Sequence, residues 1–244
     1  MNRSQQIYEV TMQQPCGILL IETSGLPGRV GLILPGGQPL HRTLQTGQRH
    51  ARDLLVAIRD LASEAKIELK TLAGIALSIG PGGYTGLRVG LTAAKTLAFA
   101  LRVPLHAIPT FDWLREIPGK EYKQLILVSD ALKGQVYSEI VEVGQDGFAS
   151  RFPLNVRPLA DVLNQVRENT LVMGEQKLRA AVPEPISMME RELLSAEQIF
   201  KAMVKCVDSG KYVSPQLSLL EPLYLRGSSA EEKAKEMQSQ IKIT

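Results

Sequence analysis

For 244 residues the chain carries little cysteine, little histidine and few aromatic side chains, and each shortage closes off a class of function. Cys16 and Cys206 are too few for a disulfide framework, so reduced thiols and a cytoplasmic setting are expected. No two of His41, His50 and His106 lie four apart, which excludes the helical pair that puts two imidazoles on one face to hold a metal. His50 and Asp53 fall three apart on a predicted helix and read as a surface contact. There is a single Trp, and Arg42, Arg49, Arg52, Arg88, Lys95 and Arg102 are not interleaved with exposed aromatics, so base stacking on single-stranded RNA is not expected of this chain. A net charge of +3 demands no nucleic-acid partner, and any such contact would be electrostatic and salt-sensitive. No apolar run approaches membrane-spanning length, and residues 1–15 lack the apolar core of a secretory signal.

What is present is a globular composition, 44% apolar and 22% charged, long enough for one large domain or two small ones. The chain is organised around SIGPGGYTGLRVGLTAAKTLAFALR, residues 78–102. Gly80, Gly82, Gly83 and Gly86 follow an apolar run and lead into a helix. Such a turn serves either the close approach of an anion to a helix N-terminus, with Arg88 nearby, or a packing too tight for a Cβ. It is not a phosphate-binding Walker sequence, because Gly-Lys-Ser/Thr is absent.

Taken in order, residues 1–16 read as a flexible extension. Strands are predicted at 17–21, 29–34 and 39–44, a helix over 48–66, a strand over 72–79, the glycine turn, a helix over 85–101, a strand over 104–108, and a short helix capped by Thr110. Pro118-Gly119-Lys120 marks a boundary, after which the same order returns in degenerate form. Strands are expected at 125–129, 135–143 and 148–156, then a helix over 158–167, a strand at 171–173, and a helix over 195–207 capped by Ser195. Residues 228–244, rich in Lys, Glu and Gln, read as a polar tail. The expected domains are therefore 17–119 and 120–227.

A strand meander followed by helices, repeated twice, is the plan of the actin-like class. The stretches Ile21-Glu22-Thr23-Ser24, Gly80-Pro81-Gly82-Gly83-Tyr84-Thr85-Gly86-Leu87-Arg88-Val89-Gly90, Asp130-Ala131-Leu132-Lys133-Gly134-Gln135-Val136-Tyr137 and Pro222-Leu223-Tyr224-Leu225-Arg226 resemble the signatures of the TsaB (YeaZ) family, whose usual forms are I-D-T-S, G-P-G-S-F-T-G-L-R-I-G, D-A-R-x-G-E-V-Y and P-x-Y-L-R. Two departures stand out: Glu22 where Asp is usual, and Gly83-Tyr84 in place of Ser-Phe. The resemblance implies an α/β, actin-like ATPase (ribonuclease H-like) fold of two βββαβαβα-type lobes. It also implies a non-catalytic subunit that pairs with a TsaD-like catalytic subunit. With a TsaE-like ATPase, the two install threonylcarbamoyl on the tRNA adenosine 3′ of the anticodon, and tRNA contact by this chain is indirect. A homodimer of the isolated chain, and ATP or ADP at the subunit interface, are further possibilities within that scheme.

The residues themselves leave a rival open. Glu22 and Asp130 end the first strands of the two halves, where working members of the wider fold hold a cation beside nucleotide phosphates. With Gly82, Gly83 and the 80–86 loop they would suit a nucleotide-dependent kinase or carbamoyltransferase. Ser24 and Ser78 sit at strand ends without a histidine–acid pair, so a nucleophilic triad is not expected. On the helix after the turn, Leu87, Leu91, Ala94, Ala98 and Leu101 form one apolar stripe. Gly86, Gly90, Ala93 and Leu97 form a second of mostly small residues, fit for close approach of another helix. The expected partner surface joins Arg52, Leu55 and Arg59 of the first helix to Gly86, Val89, Gly90, Ala93 and Leu97 of the second.

Overall fold

The computed structural model describes residues 17–44, 50–145 and 147–225. The expected extension 1–16, the 228–244 tail, Gln48, Arg49 and Arg226 lie outside the described residues, as do the side chains of His50 and Ala51.

Short continuous apolar runs become the strands. Ile18–Glu22 (β1), Arg29–Ile33 (β2) and Leu40–Thr43 (β3) form an antiparallel meander. Helix α1, His50–Glu64, leads through a 3-10 turn to β4, Gly74–Ser78, which lies parallel to β1. Helix α2, Tyr84–Leu101, crosses to β5, Leu105–Ile108, parallel to β4, and α3, Thr110–Leu114, ends this half. The second half repeats the scheme: β6 (Gln124–Asp130), β7 (Gln135–Gly144), β8 (Gly147–Pro158), α4 (Leu159–Leu163), β9 (Thr170–Gly174), a 3-10 turn Gln176–Ala181, β10 (Ser187–Glu190) and α5 (Ala196–Asp208). The two sheets run β3-β2-β1-β4-β5 and β10-β9-β6-β7-β8, the same topology twice, as parallel crossovers beside a meander produce.

Alternation along the strands builds five layers. Leu19, Ile21, Ile75, Leu77 and Leu105 face α1 and α2, packing with Leu54, Ile58, Leu61, Leu91 and Ala94. Leu20, Ala76 and Ile108 face the other way, onto a layer of α3 and α5 that also receives Leu125, Leu127, Leu171 and Met173 from the second sheet. The far face of that sheet, Ile126, Val128 and Val172, meets α4 and Val182. Phe200 of α5 lies on β2 where Gly31 leaves room for its ring. The two sheets therefore share the middle layer as one continuous core.

Several local expectations change. Thr110 is the first residue of α3, not its cap, because its hydroxyl turns inward to Ser78 (2.9 Å) while Pro109 occupies the cap position. The helix expected over 158–167 is only α4, since β8 runs on through Pro158. β10 and the 3-10 turn before it were not foreseen. Ser195 does cap α5, in a reciprocal capping box with Gln198.

Candidate functional site

The ends of β1, β4 and β6 and the start of α2 converge between the halves. At the end of β1 Glu22 is fully buried, and its Oε1 accepts from the Ser24 backbone N–H (2.7 Å), the Ser24 hydroxyl (2.7 Å) and Arg191 Nη2 (2.8 Å). Arg191, buried at the end of the second half, also donates to the Ser24 hydroxyl and lies over the Trp113 ring, 5.4 Å from its centroid. Ser24, Ser78 and Thr110 form a hydroxyl triangle with edges of 2.9–3.3 Å, and Trp113 Nε1 donates to Ser78 at 3.0 Å. Arg29 completes the seam from β2, donating to the carbonyls of Glu192 and Leu194, and burial lowers its pKa. A charge held this deep is tolerated because it is paired and hydrogen-bonded.

The matching position of the second half is Asp130. Its carboxylate accepts from Lys177 Nζ (2.6 Å) and the Leu132 N–H (2.8 Å). Burial pushes its pKa up, but the bond and charge of Lys177 and the bond from Leu132 more than offset this and hold it below the ordinary value. Glu175, where the 3-10 turn begins, binds Ser129 Oγ and the Asp130 N–H, each at 2.7 Å.

The glycine turn is engaged by the same strand end. The Gly83 N–H donates to the Ser24 carbonyl (2.8 Å). A Cβ on Gly82 would overlap the Ser24 carbonyl, one on Gly86 the Thr23 carbonyl, and one on Gly90 the Thr23 hydroxyl. The space these glycines leave is filled by Thr23 and Ser24, which favours the packing use of the turn over an anion cradle. Glu22 and Asp130 each face a protein cation, Arg191 and Lys177, where a nucleotide-bound cation would need open carboxylates. The second oxygen of Glu22, Oε2, is buried without a hydrogen-bond partner among the described residues, and the Lys177–Asp130 pair lies at the surface.

The expected partner surface divides. Arg52, Leu55 and Arg59 are exposed on α1, Leu55 at 52%. Val89, Ala93 and Leu97 are half-buried against the α1–α2 core. Gly90 is buried under Thr23 and belongs to the interior packing of β1 on α2, whereas Gly86 is half-buried, packed against the Thr23 carbonyl on one side and lining the cleft beside Ser24 on the other. Along the other flank of α2, Lys95 holds the carbonyls of Ser218 and Leu220, and the ring of Tyr224 stacks on Tyr84 at 5.1 Å. Arg191 was missed by sequence reasoning: it is 169 positions from Glu22 and sits in an ordinary charged stretch, Glu190-Arg191-Glu192.

Residues 44–151 match the family model described as TsaD, tRNA N6-adenosine threonylcarbamoyltransferase. The chain is 29% identical over 152 residues to the tRNA threonylcarbamoyladenosine biosynthesis protein TsaB of Bacillus subtilis (strain 168), covering 62% of this chain and 66% of that protein. It is 35% identical over 92 residues to the TsaB of Buchnera aphidicola subsp. Schizaphis graminum, covering 37% and 44%. These matches span no more than about two thirds of the relatives' length. Among solved structures, YeaZ from Pseudomonas aeruginosa superposes with a TM-score of 0.68 at 22% identity, over 86% of this chain and all of that one, which shows the shared fold.

Proposed function

Because the chain belongs to the TsaB (YeaZ) family, we propose that it serves threonylcarbamoyladenosine biosynthesis on tRNA as a non-catalytic cytoplasmic subunit, paired with a TsaD-type catalytic subunit and working with a TsaE-type ATPase. The observation that carries the non-catalytic part is that both strand-end carboxylates are engaged by protein cations, Glu22 in the interior and Asp130 at the surface. Glu22 is held by Arg191 and Asp130 by Lys177, and the glycine turn between them is filled by the chain's own backbone. A kinase or carbamoyltransferase would need these groups open to substrate.

The contribution of such a subunit is a surface, and α1 offers it. Arg52, Leu55 and Arg59 are exposed on α1, and Val89, Ala93 and Leu97 are half-buried on α2, the helix that packs with α1 in the same core; Arg59 is paired with Asp60. Val56 adds to the exposed apolar area. Arginine is enriched among the residues that carry interface energy, and the core of an interface is more apolar than its rim.

Sedimentation of the chain mixed with its cognate TsaD-type subunit tests the assignment. Leu55→Glu, at an exposed position, should weaken association at least tenfold while leaving the circular dichroism unchanged. Unaltered association of that variant overturns the surface. Gly90→Arg is not a useful probe, since the new side chain would collide with Thr23 inside the fold.

A further inference from the structure

Helix α2 has no aspartate or glutamate in its 18 residues, so its charges are all of one sign. Arg88, Lys95 and the capping Arg102 follow at seven-residue spacing, which returns each to nearly the same side of a helix with about 3.6 residues per turn. At about 1.5 Å per residue they stand about 10 Å apart along the axis. Tyr84 opens the same stripe, and Phe99 lies within it one turn beyond Lys95. Along the sequence the basic residues are not interleaved with exposed aromatics. Around the helix they are, which removes the ground for excluding base stacking.

The surroundings give each side chain a different use. Phe99 is 80% exposed, the most exposed large apolar side chain among the described residues, so its ring serves no core. Tyr84 is occupied: Arg88 donates to its hydroxyl and lies over its ring, 5.3 Å from the centroid, while Tyr224 stacks on it at 5.1 Å. Tyr84 thus positions Arg88. Lys95 donates to the carbonyls of Ser218 (3.3 Å) and Leu220 (3.0 Å), which fixes its ammonium on the stripe and uses two of its three donors. Thr92, exposed one turn after Arg88, adds a hydroxyl. Residues 217–225, which run beside the helix, contain one carboxylate, Glu221. Glu175 and Glu192 line the cleft that Tyr84 also lines, at the start of α2. Lys95 is about half a turn round the helix from Ala93 and Leu97, so the stripe and the proposed partner surface occupy different sides.

Spaced cations, an unoccupied aromatic ring and a hydroxyl are complementary to a polyanion that also carries planar bases. A membrane-surface helix would set a row of large apolar side chains in the place of Thr92. We propose that this stripe binds a single-stranded segment of RNA directly, with Arg88, Lys95 and Arg102 on phosphates along the strand and Phe99 stacked on a base. That the strand belongs to tRNA rests on the proposed function. The contact goes beyond that function, since the chain then touches the substrate as well as the subunit that modifies it.

The test is a titration of a fluorescein-labelled anticodon stem–loop RNA with the full chain, followed by anisotropy at several salt concentrations. The logarithm of the affinity should fall against the logarithm of salt with a slope of about −2, as three cations on a single strand produce. Arg88→Gln combined with Arg102→Gln should bring that slope to about −0.7. Phe99→Ala should weaken binding about fivefold or more without altering the slope, and Phe99→Tyr should restore it. Circular dichroism should be unchanged throughout. No saturable binding, a slope indifferent to the double substitution, undiminished binding by Phe99→Ala, or tighter binding to vesicles of phosphatidylserine and phosphatidylcholine in equal parts than to the RNA would each overturn the proposal. Sedimentation of the same chains with the TsaD-type subunit keeps the two readings apart. A chain that pairs but binds no RNA overturns this inference alone, and one that binds RNA as described without pairing overturns the subunit role alone.

Discussion

Arg191 decides how the strand-end carboxylates are used. It is buried, bonded to Glu22 and Ser24, and stacked on Trp113, so its removal strands a carboxylate in a region closed to water. Breaking a buried pair from one side costs about 3–5 kcal/mol, whereas replacing both partners by neutral groups costs much less. Arg191→Met should therefore lower the urea midpoint severely, and Glu22→Gln combined with Arg191→Met should recover part of the loss. Additive losses in that cycle would mean that the pair is not coupled. Half of this pair was readable in advance, since an acid ending an apolar run marks a strand end. The cation was not, because nothing in Glu190-Arg191-Glu192 indicates that its middle residue turns inward. Asp130 has the same history: its position was legible, its partner Lys177 was not.

At the scale of elements, α2 and its glycine turn were the clearest feature of the sequence, and helix, turn and adjoining strand all appear close to their expected bounds. The use of the small residues was only partly legible, because periodicity shows that a face is small without showing what fills it. Gly90 meets the Thr23 side chain and Leu77, while Gly86 meets the Thr23 backbone carbonyl. Gly90→Ala should destabilise by about 1–3 kcal/mol, as overpacking does, and Thr23→Ala should relieve it. Gly86→Ala should be at least as costly and Thr23→Ala should give no relief, since a carbonyl cannot be trimmed. Urea unfolding of the three single and two double variants checks this, and equal rescue of both glycine variants would refute the packing described. The elements hardest to foresee were short: α4 and the 3-10 turn before β10 have too few residues for a period to register.

For the molecule as a whole, the repeated strand order was visible as repeated element order, but the shared middle layer was not, because sequence patterning does not say which two faces meet. Trp113, the single tryptophan, lies fully buried in that layer between the sheets. Its fluorescence and the far-UV circular dichroism should lose signal at one common denaturant midpoint, as one core predicts; separate midpoints would show two independently unfolding halves. The repeat also carries an asymmetry. Where the first half has the 18-residue helix α2, the second has a 3-10 turn of six residues, so among the described residues a long paired-helix face occurs once. A subunit with a single face of this kind has a valence of one. If the proposed partner surface is this face, pairing through it with a like face closes the assembly at two along that contact. On that proposal a like and an unlike partner compete for the same face, so the ratio of subunits sets how much of the chain is engaged in each pairing.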